Sequence, residues 1–212
     1  MDDRAQALRQ FAVSRETERR LDAFVAMLRT WQARTNLVAP STLPLLWTRH
    51  VADSLQLLQL APHATRWLDI GSGGGFPGMV LACVLADVPG ARVHLVERVG
   101  KKAAFLREAL RVTGGAGIVH AGDIADCAAA IPADIDVVTA RAVASLADLL
   151  DLTSPWLSRN ITGLFPKGQD VEAEIEEATR YSIFNVRRHP SLTGNGQIIE
   201  VISYAGRRHP AD

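Results

Sequence analysis

LDIGSGGGFPG, residues 68–78, packs four glycines into positions 71–75, directly behind an apolar run that carries Asp69. Pro77 and Gly78 follow. Strand, glycine turn, helix is where a ligand meets the carboxyl edge of a parallel sheet. Glycine permits positive φ and lets a ligand approach the main chain with no Cβ in the way. Pro77 suits a first helical turn, where free amides receive an anionic group. Gly73, Gly75 and Gly78 satisfy G-x-G-x-x-G, a pattern that by itself is weak evidence for a dinucleotide. A nicotinamide dehydrogenase also needs a second mononucleotide half and a substrate domain, and 212 residues are expected to be too few. No Lys-Ser/Thr pair closes the glycine run, which excludes a Walker A loop.

Around this turn the hydrophobic pattern separates two regions. Before residue 63 it is helical: Ser14 caps a segment in which Leu21, Phe24, Val25, Leu28 and Trp31 recur at helical spacing. A second helix is predicted over 43–60, after the loop-like TNLVAPST. From Arg66 short apolar runs alternate with longer mixed ones. RWLDI, ARVHLVE, AGIVH, DIDVVTA, ITGLFP and QIIEVISY read as strands, with helices near 78–87, 100–112, 144–157 and 170–180. YSIFNVRRH adds a further strand before the last. Such alternation predicts βαβ units and a mostly parallel sheet. The expected fold is α/β and Rossmann-like: seven strands with an antiparallel C-terminal strand, preceded by helices. We divide it into a helical segment 1–62 packed on the core, an α/β domain 63–206 and a tail 207–212.

Composition narrows the class. Apolar residues make up 48% and charged residues 22%, as in an ordinary globule. No run approaches the roughly 18 apolar residues that a membrane span needs, and the mixed-charge N-terminus is not expected to be a signal peptide. Cys83 and Cys127 have no C-x-x-C or histidine neighbours, so no metal ligand set is visible. A cytoplasmic location without membrane attachment is expected. A formal net charge of zero argues against a DNA-coating protein. Residues 1–66 nevertheless hold nine arginines against six acidic residues. Arg4, Arg9, Arg15, Arg19 and Arg20, with Arg187 and Arg188, form a candidate phosphate-facing patch.

The second strand ends at Glu97, 26 residues after Gly71, where a carboxylate can accept both hydroxyls of a ribose. Lys101 and Lys102 open the next helix, either as a solvated face or as an RNA contact. In HAGDIAD, Asp123 and Ile124 offer one polar edge and one apolar surface to a base.

Taken together, RTNLVAP (34–40), RHVADS (49–54), LDIGSGGGFPGMVLA (68–82), Glu97 with GKKAAFL, RAVASL (141–146) and FPKG (165–168) resemble the bacterial 16S rRNA guanine-N7 methyltransferases. These are the glucose-inhibited division B proteins, a family of class I S-adenosylmethionine methyltransferases. The resemblance covers about residues 30–168. It implies methyl transfer from S-adenosylmethionine to N7 of one guanine in the decoding region of 16S rRNA, in or during assembly of the small subunit. It places Gly71, Gly73 and Phe76 at the cofactor, with Asp69 holding the loop. Glu97 would take the ribose, and Asp123 with Ile124 the adenine. Arg141 would face cofactor and substrate, with His50 and Asp53 nearby. Val38 stands where the family commonly has threonine, and Gly122 where it often has arginine.

Guanine N7 presents a lone pair and no proton, so transfer there needs alignment and no base. A cation at O6 or a flanking phosphate helps, whereas one directly at N7 opposes the charge that develops. Arg141, His50, Asp53 and Lys167 are therefore expected to position substrate and not to act as acids or bases. Phe76 is either an anchor for the loop or a stacking surface. The expected protein is a monomer without metal. The alternatives are a non-catalytic cofactor- and RNA-binding assembly protein, and a methyltransferase for another RNA or a small molecule.

Overall fold

The computed structural model describes residues 2–208. Helix α1 (Asp3–Gln10) and helix α2 (Arg15–Gln32) come first. Ser14 caps α2 by accepting from the Thr17 amide at 3.1 Å, and Leu21, Phe24, Val25 and Leu28 are buried on its inner face. The segment expected as one helix over 43–60 is built from three pieces. A 3-10 turn (Pro40–Leu45) leads into a π-helical stretch (Trp47–Ala52) and then helix α3 (Asp53–Leu60). Asp3 ties α1 to the start of the π stretch, accepting from the Trp47 and Thr48 amides at 2.7 and 3.1 Å.

The sheet is formed by β1 (Arg66–Ile70), β2 (Arg92–Glu97), β3 (Gly117–Ala121), β4 (Val137–Ala140), β5 (Thr162–Lys167), β6 (Ser182–Pro190) and β7 (Gln197–Arg207). Their order is β3-β2-β1-β4-β5-β7-β6. The first five strands run parallel, and β7 lies antiparallel between β5 and β6. The seven strands and the antiparallel C-terminal strand agree with the sequence reading. The final strand extends to Arg207, one residue beyond the expected boundary. Residues 209–212 of the expected tail lie outside the described residues.

Side chains alternate between the two faces, as strand geometry requires. Trp67, Val93, Leu95, Val137 and Leu164 face a core shared with α2, α3, helix α4 (Gly78–Val84) and helix α5 (Gly100–Thr113). Leu68, Ile70, Val96, Val138 and Phe165 face the other core. That core is closed by helix α6 (Ile124–Cys127), helix α7 (Leu146–Leu157) and helix α8 (Val171–Thr179). The N-terminal helices thus share one apolar core with the sheet. The carboxyl ends of β1, β2 and β4 point to the same edge, next to the π stretch.

Candidate active site

The glycine turn is held from below and from the side by two carboxylates. Asp69 is fully buried, and its Oδ2 accepts from the Gly78 amide at 3.1 Å, at the start of α4. A Cβ at position 78 would lie 2.5 Å from that oxygen, so only glycine lets the helix start this close to the strand. Glu97, almost completely buried, accepts from Gly73 N at 2.8 Å through Oε2 and from Val99 N at 2.7 Å through Oε1. Gly73 has φ +54°, and a Cβ there would meet only Gly71 O at 3.6 Å. The main chain at Gly73 is therefore bare on its open side.

A cavity of about 720 Å³ opens above this turn. Gly71, Gly73, Phe76, Glu97, Asp123, Ile124, His50 and Arg141 all line it, as do Lys102 and Gly122. Asp69 does not line it; its place is beneath the loop. The carboxyl of Asp123 caps α6 by accepting from Ala125 N at 3.2 Å, and Ile124 forms an apolar wall beside it.

Arg141 occupies the opposite wall. Its Nη1 donates to Asp53 Oδ2 at 3.3 Å and to Arg49 O at 3.4 Å, and its Nη2 donates to His50 Nδ1 at 2.8 Å. The guanidinium lies 5.3 Å from the centre of the Phe76 ring, and His50 stacks on the same ring at 4.9 Å. A guanidinium has five N–H donors and no acceptor, so His50 must accept at Nδ1 and carry its proton on Nε2. That proton is donated to Thr42 Oγ1 at 2.8 Å. Burial, reinforced by Arg141 and Arg49, pushes the His50 pKa down to about 3, leaving the ring neutral. Burial also draws Arg141 below its ordinary value, with Asp53 acting in the opposite sense. Ala142, next in the chain, is left-handed at φ +56°, which costs a residue with a Cβ roughly 1 kcal/mol.

A second cavity, of about 600 Å³, lies behind this wall. His50, Arg141, Ala142 and Ala144 line both cavities. Asp53 and Lys167 line only the second. The tip of the β6–β7 hairpin closes it, with Ser191 and Thr193 donating to Asp53 Oδ1 at 3.4 and 2.9 Å. Gln56 Oε1 accepts from Leu192 N at 3.0 Å. One carboxylate therefore fixes Arg141 and the hairpin together. Sequence reading missed Ser191, Thr193, Gln56 and Glu174, which sits against Lys167 at 2.6 Å; only their polarity marks them in the sequence.

Five of the seven arginines of the expected patch are paired with acidic residues. Arg4 pairs with Glu18 and Asp22, Arg19 with Glu16, and Arg20 with Asp87. Arg187 pairs with Glu200 and Arg188 with Glu172. Acidic residues interleaved on α2, and others delivered by the fold, satisfy these cations locally. Among the described residues no group of three or more His, Cys, Asp or Glu side chains could hold a metal.

Residues 17–199 match the family model described as rRNA small subunit methyltransferase G, GidB. The chain is 62% identical over 200 residues to a ribosomal RNA small subunit methyltransferase G of Rhodopseudomonas palustris, covering 94% of this chain and 86% of that protein. It is 58% identical over 199 residues to the protein of that name from Bradyrhizobium diazoefficiens, covering 94% and 76%. Among solved structures it resembles a methyltransferase from Geobacter sulfurreducens, with TM-score 0.62, 18% identity and 96% and 97% coverage. It also resembles an O-methyltransferase from Bacillus cereus in complex with SAH, with TM-score 0.61, 15% identity and 93% and 96% coverage. At these identities the structural likeness speaks for the fold alone.

Proposed function

We propose, from the premise that this chain belongs to the rRNA small subunit methyltransferase G family, that it transfers a methyl group from S-adenosylmethionine to N7 of a guanine in the decoding region of 16S rRNA. The observation that carries this reading is the pair of cavities meeting at the His50–Arg141 wall. One cavity suits the methyl donor and the other the base.

The residues of the first cavity fit S-adenosylmethionine. Each oxygen of Glu97 takes one backbone proton and keeps a lone pair for a ribose hydroxyl. The bare main chain at Gly73 accommodates the methionine portion. Ile124 and Asp123 supply an apolar face and a polar edge for adenine. Bound there, S-adenosylmethionine supplies an electrophilic methyl on a sulfonium.

The chain's own residues then have a task of alignment. Neutral His50 adds no charge where the attacking N7 becomes cationic. Arg141 has two protons, on Nε and Nη2, without a partner among the described residues. They are available to O6, the acceptor next to N7. Phe76 and Asp53 hold the guanidinium at that height. None of these groups needs to accept a proton, because N7 carries none.

We take the protein to act as a monomer. A ribosomal substrate supports action in the cytoplasm on the small subunit or its rRNA. Among the described residues no helix is long and apolar enough to cross a membrane. The test is incubation with labelled S-adenosylmethionine and small subunits, with the methyl mapped to base and position. Cofactor binding without transfer to subunits or rRNA would refute the proposal and favour the assembly-protein alternative.

A further inference from the structure

We infer that Glu174, together with Lys167, reads the target base in the second cavity. The lysine ammonium donates to guanine O6, and Glu174 Oε1 accepts from N1–H and the 2-amino group. The inference rests on the guanine-N7 reading above and assigns the acceptor side of that site.

Position comes first. The second cavity shares its wall with the first through His50, Arg141, Ala142 and Ala144. A base held there with N7 at the shared wall presents O6 beside it, and then N1–H and the 2-amino group farther round its edge. Lys167 and Glu174 line only this cavity, next to Ala144 of that wall. The hairpin tip pinned on Asp53 and Gln56 keeps this side formed before any base arrives.

The second argument is hydrogen-bond accounting. Lys167 is nearly buried, with 9% of its side chain exposed, and its Nζ lies 2.6 Å from Glu174 Oε2. It also donates to Ala144 O at 2.8 Å. An ammonium has three protons, so one remains. Glu174 Oε2 accepts from Leu146 N at 2.8 Å as well, whereas Oε1 has no partner among the described residues. A spare donor thus stands beside a spare acceptor with two lone pairs. Guanine offers the complement, an acceptor at O6 next to donors at N1 and the 2-amino group. Adenine reverses that order, with a donor at N6 and an acceptor at N1, and would set like against like.

The competing role for Glu174 is structural: neutralising Lys167 and capping α7. Inosine separates the two, because it lacks only the 2-amino group and keeps N7 and O6. Small subunits are reconstituted with 16S rRNA carrying guanine or inosine at the methylated position, and methyl transfer is measured with each. Wild-type protein should lose roughly tenfold in kcat/KM on inosine, the scale of a lost base-edge contact. Equal rates on the two would overturn the inference without any variant. Glu174→Gln keeps a carbonyl for Leu146 N but places a donor where Oε1 accepts. It should slow guanine methylation and bring the guanine-to-inosine ratio towards one, with S-adenosylmethionine affinity by calorimetry unchanged. A variant that slows both substrates equally would make Glu174 structural and refute base reading. Absence of transfer to guanine subunits by the wild type would instead remove the functional reading itself.

Discussion

Arg141 donates to the unprotonated Nδ1 of His50 at 2.8 Å, across the wall that separates the two cavities. Two groups that are cationic in water at mildly acid pH can share this bond only if one surrenders its charge. His50 does so. The pair then works as a single positioned cation, backed by the Phe76 ring and by Asp53.

Arg141→Ala should retain S-adenosylmethionine affinity and slow transfer by about 100-fold, the scale of a misaligned reacting pair. Arg141→Lys should not restore the rate. A point-like ammonium cannot span Asp53, the Arg49 carbonyl and His50 as the planar fork does. Single-turnover transfer, with cofactor binding measured separately, checks both statements. Unchanged transfer in Arg141→Ala would take this residue out of the site.

His50 yields a pH prediction. Its pKa in the fold, about 3, lies below the ordinary 6.5, so it stays neutral through the working range. Transfer at saturating cofactor should show no limb near 6.5 assignable to this ring. A limb there that disappears in His50→Asn would contradict the assignment. Stability moves the same way. A lowered folded value contributes in full above pH 6.5 and is lost as pH falls towards 3. His50→Asn should therefore flatten the acid side of the stability curve.

The sheet was legible because each strand is a short apolar run bounded by breakers, and because alternation assigns its faces without knowledge of partners. Glu97 was legible from its position at a strand end behind a glycine turn. The hairpin tip was not. Thr193 meets Asp53 across 140 residues of sequence, and SLTGNG carries no local sign of its destination. Self-pairing of the arginines was hidden for the same reason, since Arg20 finds Asp87 only after folding. Nor does WTRHVA announce its π-helical turn, which brings His50 and Asp53 to one guanidinium. The glycine run itself had a second cause that sequence could not supply. A Cβ at Gly74 would lie 2.7 Å from the Leu37 carbonyl, so part of the run makes room for the chain rather than for a ligand.

Glu97 holds two backbone amides with its two oxygens, so even the amide isostere disturbs it. In Glu97→Gln one of those positions becomes an NH2 group facing an N–H. The unmet donor should cost about 1–3 kcal/mol of stability without cofactor. Cofactor affinity should fall at least tenfold, because the ribose-binding oxygen and the Gly73 turn are lost together. Calorimetric titration and chemical denaturation of the cofactor-free protein measure the two effects. Intact cofactor affinity alongside weakened RNA binding would refute the ribose assignment.

Asp69 provides the opposite pH signature. Burial raises its pKa from 3.8 to about 7, against the hydrogen bond from Gly78, and its Oδ1 has no partner among the described residues. A raised folded value means that the protonated acid is the form the fold tolerates. Its contribution is whole below 3.8 and is lost as pH rises to 7, when the unfolded chain ionises and the folded one resists. The loss over that interval is on the order of 4 kcal/mol at about 1.4 kcal/mol per pKa unit. Asn at this position cannot ionise, and its carbonyl can still accept from Gly78 N. Denaturation of wild type and Asp69→Asn at about pH 4.5 and 7.5 should therefore show the variant gaining on the wild type as pH rises. Parallel stability curves would mean that Asp69 is ionised in the fold throughout, with some group satisfying Oδ1 beneath the glycine turn.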